Sequence, residues 1–450
     1  MSRSSGGAWR RYASYTAINF GFSLLGMTAT MLLMYYYTDV LMLPALSVSA
    51  VLFTARLFDG LIDPFLGHYM DGRTTKLGKY RGYVIYWAIP ACLAFALMFS
   101  PAPVDGAGKA VWCLLLYLLF TLSFSFVEIA SLPLLASFGS REQRAAGNAL
   151  KVTGCILAVL TVAVFAVPLV RMLGNGSEQT GYARMAALFA GVVLAALLLG
   201  GFGFREGDYA ADGGERLSAG EAIRAVLREK SIAFLLCMHL CLDAASAFKM
   251  QAGIYYLKYN LARQDLTSLF LTSSIAASLL AQPLVYHCSR RFPQRVLMVY
   301  GFVLSAAAML AIGMSGGSVA LLIAANCAFG VASAFPASLV FAYMVDLSEQ
   351  LGRKRGKPFG GVANAFIGMA SRVGGSLAST LLSLILFATA YRPNEAQSAR
   401  TLTGISIGFV VLPILVLILG AVFASLSFRT YEAERSLSQS ADLFAGEAET

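Results

Sequence analysis

The chain has 450 residues, 58% of them hydrophobic and only 13% charged, with a net charge of +10 and a mean hydropathy of +0.69. That composition excludes an ordinary soluble protein and makes the membrane the solvent. A basic balance can signal nucleic acid, but here the basic residues are scattered over many short loops, which suits topology signals and anionic-lipid contacts and argues against a nucleic-acid partner.

A bilayer-spanning helix needs about 20 apolar residues, and twelve such segments follow one another, near 12–40, 47–70, 83–101, 110–136, 152–173, 183–204, 231–258, 267–287, 296–314, 318–346, 360–388 and 402–428. Span one is too long for the apolar region of a cleaved signal peptide, so it is expected to remain. Its end, Tyr35-Tyr36-Tyr37, suggests an interfacial aromatic belt.

Span two carries the most informative residues: Arg56-Leu57-Phe58-Asp59-Gly60-Leu61-Ile62-Asp63-Pro64. A charge at bilayer depth costs ~2.5–3.5 kcal/mol on insertion scales, so such residues usually face a cavity, a pathway or each other. Positions i and i+4 share a helix face, which stacks Asp59 and Asp63 one turn apart with Arg56 close by. Two neighbouring carboxylates in low dielectric cannot easily both ionise; a proton or a cation between them resolves the conflict. The structural alternative is an ion network in which Arg56 neutralises one carboxylate and only fixes packing.

Further along come Glu128 in span four, Asp243 and Lys249 in span seven, Asp346 near the end of span ten and Arg372 in span eleven. For Asp243 and Lys249, pairing within the structure and contact with a solute are both open. The stretch 205–230 is the most polar interior segment, and within it Leu217 to Lys230 has the spacing of a surface-lying amphipathic helix. Residues 429–450 read as a short polar tail.

Six spans thus precede the polar stretch and six follow it. The expected fold is an all-α membrane protein of twelve transmembrane helices in two six-helix halves, the major facilitator arrangement. Its parts are an N-terminal half at 1–204, a cytoplasmic central loop at 205–230, a C-terminal half at 231–428 and a cytoplasmic tail at 429–450. A faint internal echo supports the halves: span one ends in Tyr35-Tyr36-Tyr37-Thr38-Asp39-Val40 and span seven in Tyr255-Tyr256-Leu257-Lys258-Tyr259-Asn260. The excess of Lys and Arg in alternate loops places both termini in the cytoplasm.

The 7 cysteines and 3 histidines form no metal-ligand spacing. No phosphate-binding glycine loop or nucleophile-base arrangement points to an enzyme.

Several separated motifs resemble the glycoside-pentoside-hexuronide:cation symporter family over essentially the whole chain. They are Met34 to Val40; Arg56 to Pro64 with Gly67, Asp71, Lys76, Gly78, Lys79 and Arg81; Arg141-Glu142; and Met369-Ala370-Ser371-Arg372-Val373-Gly374-Gly375-Ser376. The resemblance implies a cation site at Asp59 and Asp63 joined by the Ser125 hydroxyl, with Arg56 in coupling. It implies substrate contacts at Glu128, at Arg372 where the family usually has Lys, and, across a gap, at Lys151.

The chain departs from the pattern where a well-known sugar carrier of the family has an Asp, here Ser23, and a stacking Trp, here Leu132. Both losses argue against the same galactoside. An Asn before the second cation-site Asp is Ile62 here; an amide oxygen suits Na⁺, so its loss favours H⁺.

The expectation is a multi-pass inner-membrane transporter in which H⁺, or else Na⁺, drives symport of a small polar solute such as a sugar, sugar acid or organic anion. It would need no other cofactor and would work as a monomer among membrane lipids. Lys249, Arg372 and Lys151 would suit an anionic group on the solute. A lysolipid or amphiphile carrier of the same fold, or a non-transporting membrane sensor, is the alternative.

Overall fold

The computed structural model describes residues 5–138, 141–206, 228–355 and 360–448, almost all of them helical. The helices of the first part are α1 (Ser5–Tyr35), α2 (Ala45–Asp71), α3 (Arg81–Met98), α4 (Ala107–Leu134), α5 (Arg141–Leu173) and α6 (Glu178–Gly203). After 207–227, outside the described residues and holding most of the expected surface helix, come α7 (Lys230–Tyr255), α8 (Thr267–Leu280), α9 (Gln282–Ser289) and α10 (Gln294–Gly313). The last are α11 (Val319–Arg355), α12 (Gly360–Ala388), α13 (Ala399–Ser406) and α14 (Leu412–Ala448).

Among the described residues, 11 segments are long and apolar enough to cross a membrane. Helix α2, at 27 residues, has the length of a twelfth. Helices α8 and α9 form one span broken at Ala281, because Pro283 has no N–H to continue the ladder. Beyond 428 the polar tail is helical, continuing α14 to Ala448 through Ala, Glu, Leu and Arg, which favour helix.

The chain divides into two compact units. The first contains Met1–Ala211, Met250–Thr272 and Ser379–Ile405. Within it α1 packs against α4, α5 and α6, and glycines set how closely. A Cβ on Gly154 of α5 would stand 2.7 Å from the Thr16 carbonyl, and one on Gly200 of α6 would stand 2.8 Å from that of Ser14. Such close approach is how transmembrane helices gain dispersion energy where lipid offers no hydrophobic drive.

Just past α6, the Glu206 carboxylate accepts hydrogen bonds from the backbone N–H groups of Lys79 (2.7 Å), Tyr80 (2.8 Å) and Arg81, which open α3. An anion at a helix N-terminus meets unsatisfied donors and a favourable dipole. Gly78, at φ 127°, makes room: a Cβ there would lie 2.5 Å from Glu206 Oε2. Arg81 adds a bond to the Phe204 carbonyl at 2.8 Å, so the basic loop after α2 is tied to the end of α6.

The echo seen in the sequence is a repeat of local structure. Both α1 and α7 end in a wide turn, with Leu41 N–H bonded to the Tyr36 carbonyl at 2.9 Å and Leu261 N–H to the Tyr256 carbonyl at 3.1 Å. Each turn is followed by a left-handed residue, Met42 at φ 56° and Ala262 at φ 51°. Each is closed by a further bond, Leu43 N–H to Tyr37 and Arg263 N–H to Leu257. Such i→i+5 turns are rare within helices and often mark functional sites.

The second unit contains Asp212–Lys249, Ser273–Ala378 and Ser406–Thr450. Helix α10 packs against α11 and α14, with Gly301 facing Pro336 and Gly420 facing Phe302. Gly374 of α12 lies against the backbone of α7, where a Cβ would be 2.5 Å from the Leu240 carbonyl.

Candidate functional site

In the first unit, Asp59 is buried on α2 at 8% exposure, and Ser125 Oγ of α4 donates to its Oδ1 at 3.1 Å. The packing of α2 on α4 thus joins residues 66 apart in the chain. Asp63, one turn along, is half-buried and also engaged, as is Glu128 one turn beyond Ser125 on α4. The Arg56 side chain is outside the described residues. Phe126, next to Ser125, stacks on Trp87 of α3 with centroids 4.1 Å apart, an aromatic wall that backs α4.

Ser23 of α1 donates to Cys155 Sγ of α5 at 3.2 Å, and Lys151 lies one turn before Cys155, half-buried. Ser23 and Lys151 are therefore assembled along the seam of α1 and α5.

The other proposed solute residues belong to the second unit. Lys249 is 3% exposed; its ammonium donates to Ser274 Oγ (2.7 Å) and Asn326 Oδ1 (3.0 Å) and lies 4.2 Å from the Phe329 ring centre. Asp243 is joined not to Lys249 but to His239, one turn back, with Nε2 and Oδ2 at 3.2 Å. The two face different ways because six residues on a helix are not one face. Ser371 of α12 hydrogen-bonds the same His239 nitrogen at 2.9 Å, and its neighbour Arg372 is half-buried and engaged. The Gly374 contact brings α12 near enough for the Ser371 bond.

The densest polar cluster in the first unit lies at the two wide turns. Asp39, 1% exposed, accepts from Lys258 Nζ (2.9 Å), Tyr391 OH (2.5 Å), Thr38 Oγ1 (2.8 Å) and the Tyr259 hydroxyl. Lys258 also donates to Tyr35 OH at 2.7 Å and Asn394 Oδ1 at 2.6 Å, while Asn394 Nδ2 donates to the Asp39 carbonyl at 2.7 Å. Thr38 and Tyr255 share a bond of 2.7 Å. These bonds latch the end of α1 to the end of α7 and to the segment after α12. The wide turns permit it by rotating Asp39, Lys258 and Tyr259 out of regular helical register and towards one another. Burial and the Asp39 carboxylate together hold the Tyr391 phenol well above its ordinary range, so it remains a donor.

Residues 14–429 match the model of the MFS/sugar transport protein family. The chain belongs to this family. It is 25% identical over 413 residues to the isoprimeverose transporter of Lactiplantibacillus pentosus, covering 90% of this chain and 86% of that one. A protein of Salmonella typhimurium assigned as a 2,3-dihydroxypropane-1-sulfonate exporter is 26% identical over 431 residues, 93% of each chain. The fold matches the inward-facing, unoccupied crystal structure of a bacterial homologue of the lysosomal transporter Spinster, with TM-score 0.67, 12% identity, and coverage of 96% of this chain and 98% of that one. The protein is a multi-pass transporter with the major facilitator fold and of the glycoside-pentoside-hexuronide:cation symporter type.

Three features of this transporter were not legible as site residues. Tyr35 to Tyr37 are buried, so they are not an interfacial belt. Glu206 falls in the polar stretch that starts at 205, where nothing in the sequence marks it as the anchor of α3, and the meeting of Asp39 with Lys258 and Tyr391 is not visible in the sequence either. The Tyr-rich echo of the two span ends was the available signal for the latch, but it did not show that the two ends meet.

Proposed function

We propose that this transporter is a cation symporter of the inner membrane, with both termini in the cytoplasm, in which H⁺ bound at Asp59 and Asp63 drives movement of a small polar solute. The observation that carries this is Asp59, a carboxylate buried within an apolar span and bonded to Ser125. A carboxylate in that position is strongly stabilised by taking up a cation or proton. Ile62, beside Asp63, offers no oxygen ligand, which favours a proton over Na⁺.

Cation binding would discharge the carboxylates and permit the conformational exchange, and by linkage the solute tightens the cation as much as the cation tightens the solute. Arg56 would act in coupling. Ser23, Glu128, Lys151, Asp243, Lys249 and Arg372 are the proposed solute residues. The relatives named for isoprimeverose and for a dihydroxypropane sulfonate support a hydroxylated solute, and Lys249, Arg372 and Lys151 would suit an anionic group on it. The repeated wide turns support two related halves, at 1–204 and 231–428; the pathway enclosed by one chain would let it work as a monomer.

Uptake of sugars, sugar acids and small organic anions into proteoliposomes under an imposed pH or Na⁺ gradient tests this. Accumulation should require the gradient and be lost in Asp59→Asn. An Asp59→Asn protein that still concentrates solute would refute the coupling role.

A further inference from the structure

Gln251 lies near the end of α7 in a buried stretch: Ala252, Ile254 and Tyr255 are buried, as is Leu257 in the wide turn that follows. Its own side chain is 2% exposed, and neither its amide oxygen nor its amide nitrogen has a hydrogen-bond partner among the described residues. A carboxamide carries two N–H donors and an acceptor oxygen. Leaving them unmet in apolar surroundings is costly, whereas methionine would fill a similar volume without that cost.

Two residues earlier, the Lys249 ammonium is met by Ser274 and Asn326, so polar partners are supplied to one side chain and not to the other. The place of Gln251 gives the reason. Tyr255 stands one turn further along the same face of α7, and its hydroxyl is bonded to Thr38 at the end of α1. The amide therefore lies one turn inside the latch, on the face of α7 that meets α1.

We propose that Gln251 is a solute-contacting, specificity-determining residue whose amide binds hydroxyl groups of a polyhydroxylated solute beneath the latch. The inference rests on the transport function proposed above. An amide presents a donor and an acceptor side by side, which matches vicinal hydroxyls, each able to donate and accept. A site built this way rejects a solute that lacks the hydroxyls, because the amide is then left buried and unpaired.

The test is entrance counterflow of D-xylose, D-galactose and D-glucuronate in proteoliposomes containing wild type or Gln251→Met, with thermal melting of each purified protein. Gln251→Met should melt no lower than wild type, and its KM for the transported sugar should rise at least about tenfold. A lower melting temperature would show that the amide is a structural group, met by a bound water or by the protein, and would overturn the proposal. Unchanged melting with unchanged KM would overturn it equally. If wild type carries none of the three solutes, the hydroxylated-solute function itself fails, and this inference with it; the wild-type measurement separates that case from the other two.

Discussion

Lys258→Met should open the latch. In the wild type the Asp39 side chain is 0% exposed and that of Lys258 14% exposed, with 2.9 Å between ammonium and carboxylate. Removing the ammonium leaves a buried anion that keeps only the hydroxyls of Thr38, Tyr259 and Tyr391. Truncating one partner of a buried ion pair costs ~3–5 kcal/mol; with three hydroxyls retained, the lower end of ~3 kcal/mol applies. At ~1.4 kcal/mol per factor of ten, the ratio of latched to unlatched molecules falls about a hundredfold.

Hydrogen-deuterium exchange read by mass spectrometry on peptides covering 34–43 and 255–264 measures that ratio directly. The amides of Leu41, Leu43, Leu261 and Arg263 close the two wide turns and exchange only when these open. Their exchange should quicken by about two orders of magnitude in Lys258→Met. The double variant Asp39→Asn/Lys258→Met should exchange more slowly than Lys258→Met alone, because no unpaired charge remains. Unchanged exchange in both peptides, or a double variant faster than the single, would refute the assigned role of the ion pair.

Glu206→Gln should lower the melting temperature and speed exchange at Lys79 to Arg81, since a neutral amide replaces an anion that gathers three N–H donors, at a cost of ~1.5–3 kcal/mol; unchanged melting and exchange would remove the anchoring role. Tyr391→Phe should lower stability at neutral pH and make its loss above pH 10 shallower. The folded protein holds this phenol protonated above its ordinary value of 10.0, so its contribution is complete below that pH and is lost as pH rises beyond it. Melting curves from pH 7 to about 11 check this against the principle of linkage, and the same alkaline slope in both proteins would refute it.

Span number, membrane location and the identity of the charged helix were legible because each rests on local information. A run of apolar residues must cross or leave the bilayer whatever its neighbours do, and the cost of charge at depth makes Asp59 and Asp63 conspicuous. Ser125 came from a different source: only the family resemblance joined it to Asp59, and a hydroxyl in an apolar helix carries no such signal by itself. Asp243 and Lys249 show the limit. Spacing excluded a shared face, but it could not say that one would meet His239 and the other Ser274 and Asn326.

The sequence by itself therefore determined the solvent of this protein, the twelve-span plan and the helix that carries the buried acids, since those follow from transfer energies and helical periodicity. Only the tertiary structure decided which polar groups are met and by what. Asp39 is 219 residues from Lys258 and 352 from Tyr391, and their meeting depends on two wide turns and on the packing of helix ends. Gln251 is an ordinary polar residue until its neighbours are known. Hydrogen bonding is directional and short-ranged, so whether a buried group is satisfied is a property of the assembled fold and not of the residue.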